Sequence, residues 1–339
     1  MPRFAFVALL FLAVSIVLGD ESDPAAMAAK ERQDRARSVL IEYRQVSRLF
    51  TPGKEGQKAK EGKATADNRI ILDGRRVRIE DNNPSRGMFG SFSPLNRLDT
   101  HDGDEGRTLY LSGRGQSKSS QGLIYSTTDT ITAKPVDCIF VVFRGLESGF
   151  GYPTLAMVKP TGRGESIEKV ECPEFEHVAP ARVTRYWVDP AKGLIVRKIQ
   201  IEERGKATRT SHVNYRQDAS MAWALIGWRN EYPSPEGPVG LIEECTVTKL
   251  ELNDAFDDET FRLAFPPGGR VANRGAKKYF QVTDSGELQE IDEEGNIVVP
   301  WTTAVKDWTI GNPIVVAGIA IGVLAVLGLV IVRRRKRRT

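Results

Sequence analysis

The sequence predicts an α+β protein, with a leading helix, an antiparallel sheet built from successive hairpins, and one C-terminal transmembrane helix. Three observations predict it. Val39, Leu40, Tyr43, Val46 and Phe50 recur at near-helical spacing within 24–50, as one apolar stripe of a helix requires. Beyond Ala64 the pattern changes to short alternating runs separated by Gly, Pro, Asp and Asn, the mark of strands and tight turns. The uncharged run Pro313–Val332 precedes Arg333, Arg334, Arg335, Lys336, Arg337 and Arg338. Such a run is as long as the ~20 residues a helix needs to cross a hydrocarbon core, and a basic cluster favours the cytoplasmic side.

Taken in order, Arg3 and the apolar stretch Phe4–Leu18 read as a secretory signal over residues 1–19, with cleavage before Asp20. About 15 apolar residues are short for a full crossing. The helix expected over 24–50 ends at Thr51-Pro52-Gly53, because proline disfavours helix before it and cannot donate the next hydrogen bond. Residues 54–63, with Lys54, Lys58, Lys60 and Lys63, read as a solvated loop. Arg69–Glu80 contains Asp73-Gly74, a two-residue hairpin signal that sets Ile70 opposite Val77. A second hairpin joins Thr108–Leu111 to Leu123–Ser126. A meander follows: Val183–Val188 turns through Asp189-Pro190 and Gly193 into Leu194–Glu202, then through Gly205 into Thr208–Tyr215. Short connections make these strands antiparallel. The apolar run Val136–Arg144 fits a buried strand or a buried helix, since periodicity does not separate them. Cys245–Asn253 reads as a further strand, and Lys277–Pro300 as a last hairpin through Asp284-Ser285-Gly286. Trp301 and Trp308 flank the approach to the membrane.

The formal net charge of +4 includes Arg3 and six basic tail residues. Without these seven, 48 minus 7 leaves 41 basic residues against 44 acidic, a net of −3, so the basic pI gives no reason to expect nucleic-acid binding. Cys138, Cys172 and Cys245 permit at most one internal disulfide among three pairings, or three buried thiols. His101, His177 and His212 lack ligand spacing, so no metal and no cofactor are expected. Asp99, Asp102, Asp104 and Glu105 form an acidic turn without calcium-loop spacing, and Gly113-Arg114-Gly115 and Gly162-Arg163-Gly164 are turns rather than nucleotide loops. No nucleophile motif is present, and the expectation is a non-enzyme. Gly318 and Gly322 have the small-residue spacing of a helix pair and suggest a homodimer contact.

Arg185–Ile199, with its Trp187-Val188-Asp189-Pro190 turn, then Val247–Phe261 with Asn253 and Asp257, and Phe265–Val271 stand in an order that resembles the LolA-like superfamily. That superfamily comprises outer-membrane lipoprotein carriers and RseB-type periplasmic sensors. Gly74–Glu80 is similar to its early Arg-containing strand. The resemblance implies a curved, incomplete antiparallel barrel over residues 20–271 with helices on its concave side. It also implies an apolar cavity for acyl chains, for which Tyr43, Phe140, Phe143 and Trp187 are the candidate lining residues, although large apolar residues are mostly core. The remaining segments are an extension and juxtamembrane linker (272–312), the membrane helix (313–332) and a cytoplasmic tail (333–339). The expected role is a membrane-anchored, periplasmic domain that holds or presents a lipid or lipidated protein. A sensor signalling through a membrane partner and an extracytoplasmic hydrolase are the alternatives.

Overall fold

The computed structural model describes residues 24–51, 60–82, 84–86, 92–94, 96–111, 121–126, 137–146, 152–219, 222–234 and 237–298. Helix α1 (Pro24–Arg35) leads into β1 (Ser38–Thr51), β2 (Lys60–Asp73) and β3 (Arg76–Asp81). A side hairpin of β4 (Pro84–Arg86) and β5 (Phe92–Pro94) precedes β6 (Asn96–His101), β7 (Glu105–Leu111) and β8 (Gln121–Ser126). Helix α2 (Asp137–Arg144) links this half to a seven-strand meander: β9 (Lys159–Ile167), β10 (Val170–Ala179), β11 (Arg182–Asp189), β12 (Ile195–Glu203), β13 (Lys206–Asp218), β14 (Ala222–Ser234) and β15 (Gly237–Leu252). Three short strands close the described chain, β16 (Arg270–Asn273), β17 (Lys278–Val282) and β18 (Leu288–Ile291).

All strands except β4 and β5 join one sixteen-stranded sheet, ordered β18-β17-β16-β8-β7-β6-β3-β2-β1-β15-β14-β13-β12-β11-β10-β9. Its first half runs outward from β1, and the second returns from the far edge until β15 lies antiparallel to β1. Only β16 beside β8 is parallel. Among the described residues no strand pairs with the outer side of β9 or β18, so the described sheet is open.

This corrects the expected fold class. The described chain is essentially one large open sheet with two α-helices, not an α+β barrel segment with a spanning helix. Among the described residues no helix is long and apolar enough to cross a membrane. The signal segment 1–19, the run Pro313–Val332 with Gly318 and Gly322, the tail Arg333–Arg338, Trp301 and Trp308 lie outside the described residues. The expected helix over 24–50 is also corrected: helix stops at Arg35, and β1 begins at Ser38. Val39, Ile41, Tyr43, Gln45, Ser47 and Leu49 alternate onto one buried face, a period-two pattern that β-branched and aromatic residues favour. The β2–β3 register sets Ile70 opposite Ile79, and Leu72 opposite Val77. Asp73 pairs with Arg76 here, so the two turn residues are Gly74 and Arg75 and the register moves by two. Gly74 supplies the left-handed φ of +54° that this turn requires.

The core lies on the face covered by the helices, called the inner face below. It gathers Val39, Ile41 and Tyr43 from β1, Ile70 and Leu72 from β2, Tyr186 and Val188 from β11, and Leu225 and Trp228 from β14. These surround Ile139, Phe140, Val142 and Phe143 of α2. An eight-residue helix is about 12 Å long, whereas β2 and β12 are five strand spacings apart, about 24 Å in a flat sheet. Yet α2 packs on β12 while Arg144 at its end reaches the β2–β3 turn. Side chains from β1, β2, β11, β12, β14 and β15 thus join α2 in one buried cluster. Arg144, 2 % exposed, fastens this arrangement. It donates from Nε to the Gly74 carbonyl (3.1 Å), from Nη1 to Ala36 (2.9 Å) and Phe143 (2.8 Å), and from Nη2 to Arg37 (2.6 Å). These carbonyls belong to the α1–β1 junction, the hairpin turn and the end of α2, so one guanidinium holds three elements.

Candidate functional site

The ladder between β14 and β15 runs from Ser234/Gly237 to Gly227/Thr246 and stops there. Beyond that point Ala222–Leu225 pair only with β13, while Val247–Leu252 pair with β1. Two bulges steer the strands apart, one that leaves Ile226 of β14 out of register with β13 and one that leaves Thr248 of β15 out of register with β1. An extra residue on one strand bends it and increases its twist, and here both bends fall at the same level of the sheet. Gly227 stands at the vertex. A Cβ there would overlap the Cys245 carbonyl oxygen, so the close approach before the strands part admits only glycine.

The resulting fork is a cavity of about 470 Å³, within the size range of small-ligand sites. Ala224, Leu225, Ile226, Val247, Leu250 and Leu252 form its apolar walls, and Arg35, Arg216, Asp218, Lys249 and Asn253 form the rim. Leu225 belongs to the inner-face core, and Val247, Leu250 and Leu252 pack against it. The opening thus leads from solvent to the core. Arg35 is paired with Glu31, and Lys249 with Glu251 at 2.9 Å, so two of the rim cations are already neutralised. Asn253 fixes the position of Arg35: its amide donates to the Arg35 carbonyl (2.9 Å) and its Oδ1 accepts from Arg37 N (3.0 Å). Asn253 adopts a φ of +61°, a conformation that Asn tolerates better than most side chains. A larger opening, about 590 Å³ beside the α1–β1 junction, is walled mainly by Asp34, Arg37, Ser38, Asp73 and Asp254.

Of the residues singled out from the sequence, Tyr43, Phe140 and Phe143 lie together in the inner-face core, each 1 % exposed. Tyr43 stacks at a tilt on Trp228, ring centroids 4.8 Å apart. Trp187 points the other way, between Tyr186 and Val188, which do join that core. Its ring lies under the Lys198 ammonium at 4.3 Å on the outer face. The basic tail lies outside the described residues. The sequence reading missed Leu225, Ile226, Leu250, Leu252 and Trp228, for which no short motif signals a site. The residues that carried the family resemblance serve the fold. Asp189 caps the turn after β11 by accepting from Ala191 N (3.1 Å), and Asp257 caps a short 3-10 turn through Thr260 N (2.8 Å), which buries Phe261.

The titratable groups here are shaped by burial. Desolvation pushes the Glu243 carboxyl up, against the opposing pull of hydrogen bonds from Asn230 and Tyr232. Burial likewise pushes the Tyr43 hydroxyl and the Cys245 thiol well up, with smaller upward contributions from neighbouring acidic groups. Cys138, Cys172 and Cys245 are all buried free thiols. Burial lowers His101, whose Nδ1 accepts from Gly103 N at 3.1 Å as part of a turn. Among the described residues no three His, Cys, Asp or Glu side chains converge as metal ligands would.

No family model matches the chain, and no curated protein matches its sequence. Among solved structures the fold is similar to that of LolA superfamily protein NE2245 from Nitrosomonas europaea. The identity is 11 %, covering 70 % of this chain and 97 % of that one, with a TM-score of 0.42. PNGF-II in space group P21 is similar over 70 % of this chain and 32 % of its own, at 10 % identity and a TM-score of 0.24. Neither likeness bears on function.

Proposed function

We propose that the protein holds an apolar chain, the acyl part of a lipid or of a lipidated protein, in the fork between β14 and β15. The observation that carries this is the fork itself: a cavity of about 470 Å³ whose apolar walls are continuous with the inner-face core. Sheets normally pair strands along their shared length, and a gap that admits solvent to leucine side chains loses apolar burial worth about 25 cal/mol per Å². An acyl chain laid against Ile226, Val247, Leu250 and Leu252, the walls that are not fully buried, restores that burial. The role is holding or presentation without catalysis. The location, at a membrane with the folded part outside the cytoplasm, is supported by the sequence alone through Pro313–Val332 and the basic residues after it.

The test is binding of a fluorescent fatty acid to the purified full chain and to Ile226→Glu. Ile226 lines the fork yet is 38 % exposed, so a carboxylate there is tolerated by the fold but opposes an apolar occupant. Saturable binding is expected, weakened about tenfold or more in the variant, with the melting temperature within about 2 °C of the parent. Equal binding by both proteins, or none by the parent, contradicts the proposal.

A further inference from the structure

Toward the other end of these strands the inner face turns polar. Ser47 on β1 lies opposite Glu243 on β15, Glu243 opposite Asn230 on β14, and Asn230 opposite Ser211 on β13. All four are buried. The Glu243 carboxylate accepts from Asn230 Nδ2 (3.2 Å) and from the Tyr232 hydroxyl (2.9 Å), and Gln45 Nε2 donates to Ser47 Oγ (3.0 Å). Two atoms are left over. Gln45 Oε1 and the Tyr43 hydroxyl have no hydrogen-bond partner among the described residues, in side chains only 1 % exposed.

An unsatisfied buried polar atom costs about 1–3 kcal/mol, and the large majority of buried polar atoms in folded proteins have partners. Two orphans two residues apart lie on the same face of one strand, beside a polar band and next to the proposed site. We propose that Tyr43, Gln45 and Glu243 form a headgroup subsite that takes an uncharged, hydrogen-bond-donating group, a hydroxyl or an amide, of the ligand held in the fork. This rests on the fork reading above. Gln45 Oε1 and the Glu243 carboxylate accept, so the ligand must donate, while the Tyr43 hydroxyl can do either. An anionic head would bring a second negative charge beside the Glu243 carboxyl, where the buried Arg209 is the one neighbouring cation acting on it. From Glu243 to Val247 is four residues of strand, about 13 Å. A head at the band therefore lies within one short acyl-chain length of the fork.

The experiment displaces a fluorescent acyl probe from the full chain with 1-monolauroylglycerol and with laurate, in the parent, Tyr43→Phe and Gln45→Met. The glycerol ester is expected to bind at least tenfold tighter than laurate, and each substitution should remove about tenfold of that preference while leaving laurate unchanged. Because the Tyr43 hydroxyl has no partner among the described residues, Tyr43→Phe should leave the ligand-free melting temperature unchanged or higher. Equal affinities for the two ligands, an unaltered preference in both variants, or a lower melting temperature for Tyr43→Phe overturns the subsite. Failure of the fluorescent probe itself to bind defeats the fork reading instead.

Discussion

Replacing Arg144 with Met is expected to destabilise the protein by about 3–5 kcal/mol. The methionine fills much of the volume but leaves the carbonyls of Gly74, Ala36, Arg37 and Phe143 without their donor. Removing the buried charge returns some desolvation energy, but the loss of four hydrogen bonds, only one of whose acceptors (Arg37 O, from Gly74 N at 3.3 Å) has a further backbone donor here, outweighs it. The melting temperature should fall by about 10 °C. Arg144→Lys should recover less than half of the loss, because a single ammonium lacks the planar spread that reaches three elements at once. A change below about 2 °C for Arg144→Met would mean that the junction of α1, α2 and the β2–β3 turn is held by something else.

Phe143→Ala is expected to cost about 3–5 kcal/mol, the usual loss when a fully buried phenylalanine is truncated. Its ring is 1 % exposed in the inner-face core and does not line the fork. Fatty-acid affinity per folded molecule should stay within about twofold of the parent. Loss of binding without loss of stability would place the ring in the path of the ligand and move the site away from the fork.

The hairpins were legible because their turns are written in short, specific residues. Asp73-Gly74, Asp189-Pro190 with Gly193, Gly205, and Ser285-Gly286 all fall where strands reverse. β1 was misread as helix because Val39, Leu40, Tyr43 and Val46 fit a helical stripe, whereas of these only Val39 and Tyr43 share the buried strand face with Ile41 and Leu49. Pairing with β15, some 200 residues away, decides between them. Cys138–Phe143 is apolar throughout, so its period is silent, and the helix follows from its burial in the inner-face core rather than from any pattern of its own. Tyr43, Phe140 and Phe143, named from the sequence as cavity-lining, lie in the inner-face core, where large apolar residues gather. That same rule says nothing of the face of a strand, which is why Trp187 ends on the outer side. The fork was illegible for a more basic reason: it arises from two bulges on different strands and a glycine contact between β14 and β15. A bulge is a property of pairing, and nothing local in Thr246-Val247-Thr248-Lys249 marks Thr248 as the extra residue.

The central claim is that an acyl chain occupies the gap between β14 and β15, and the most direct test locates the chain. Crystals of the protein with a fatty acid brominated near its methyl end, measured at the bromine absorption edge, should give an anomalous peak between Leu225 and Leu250. A peak elsewhere, on the outer face beside Trp187 or in the polar opening beside Asp34 and Asp254, or none at saturating ligand, would contradict it.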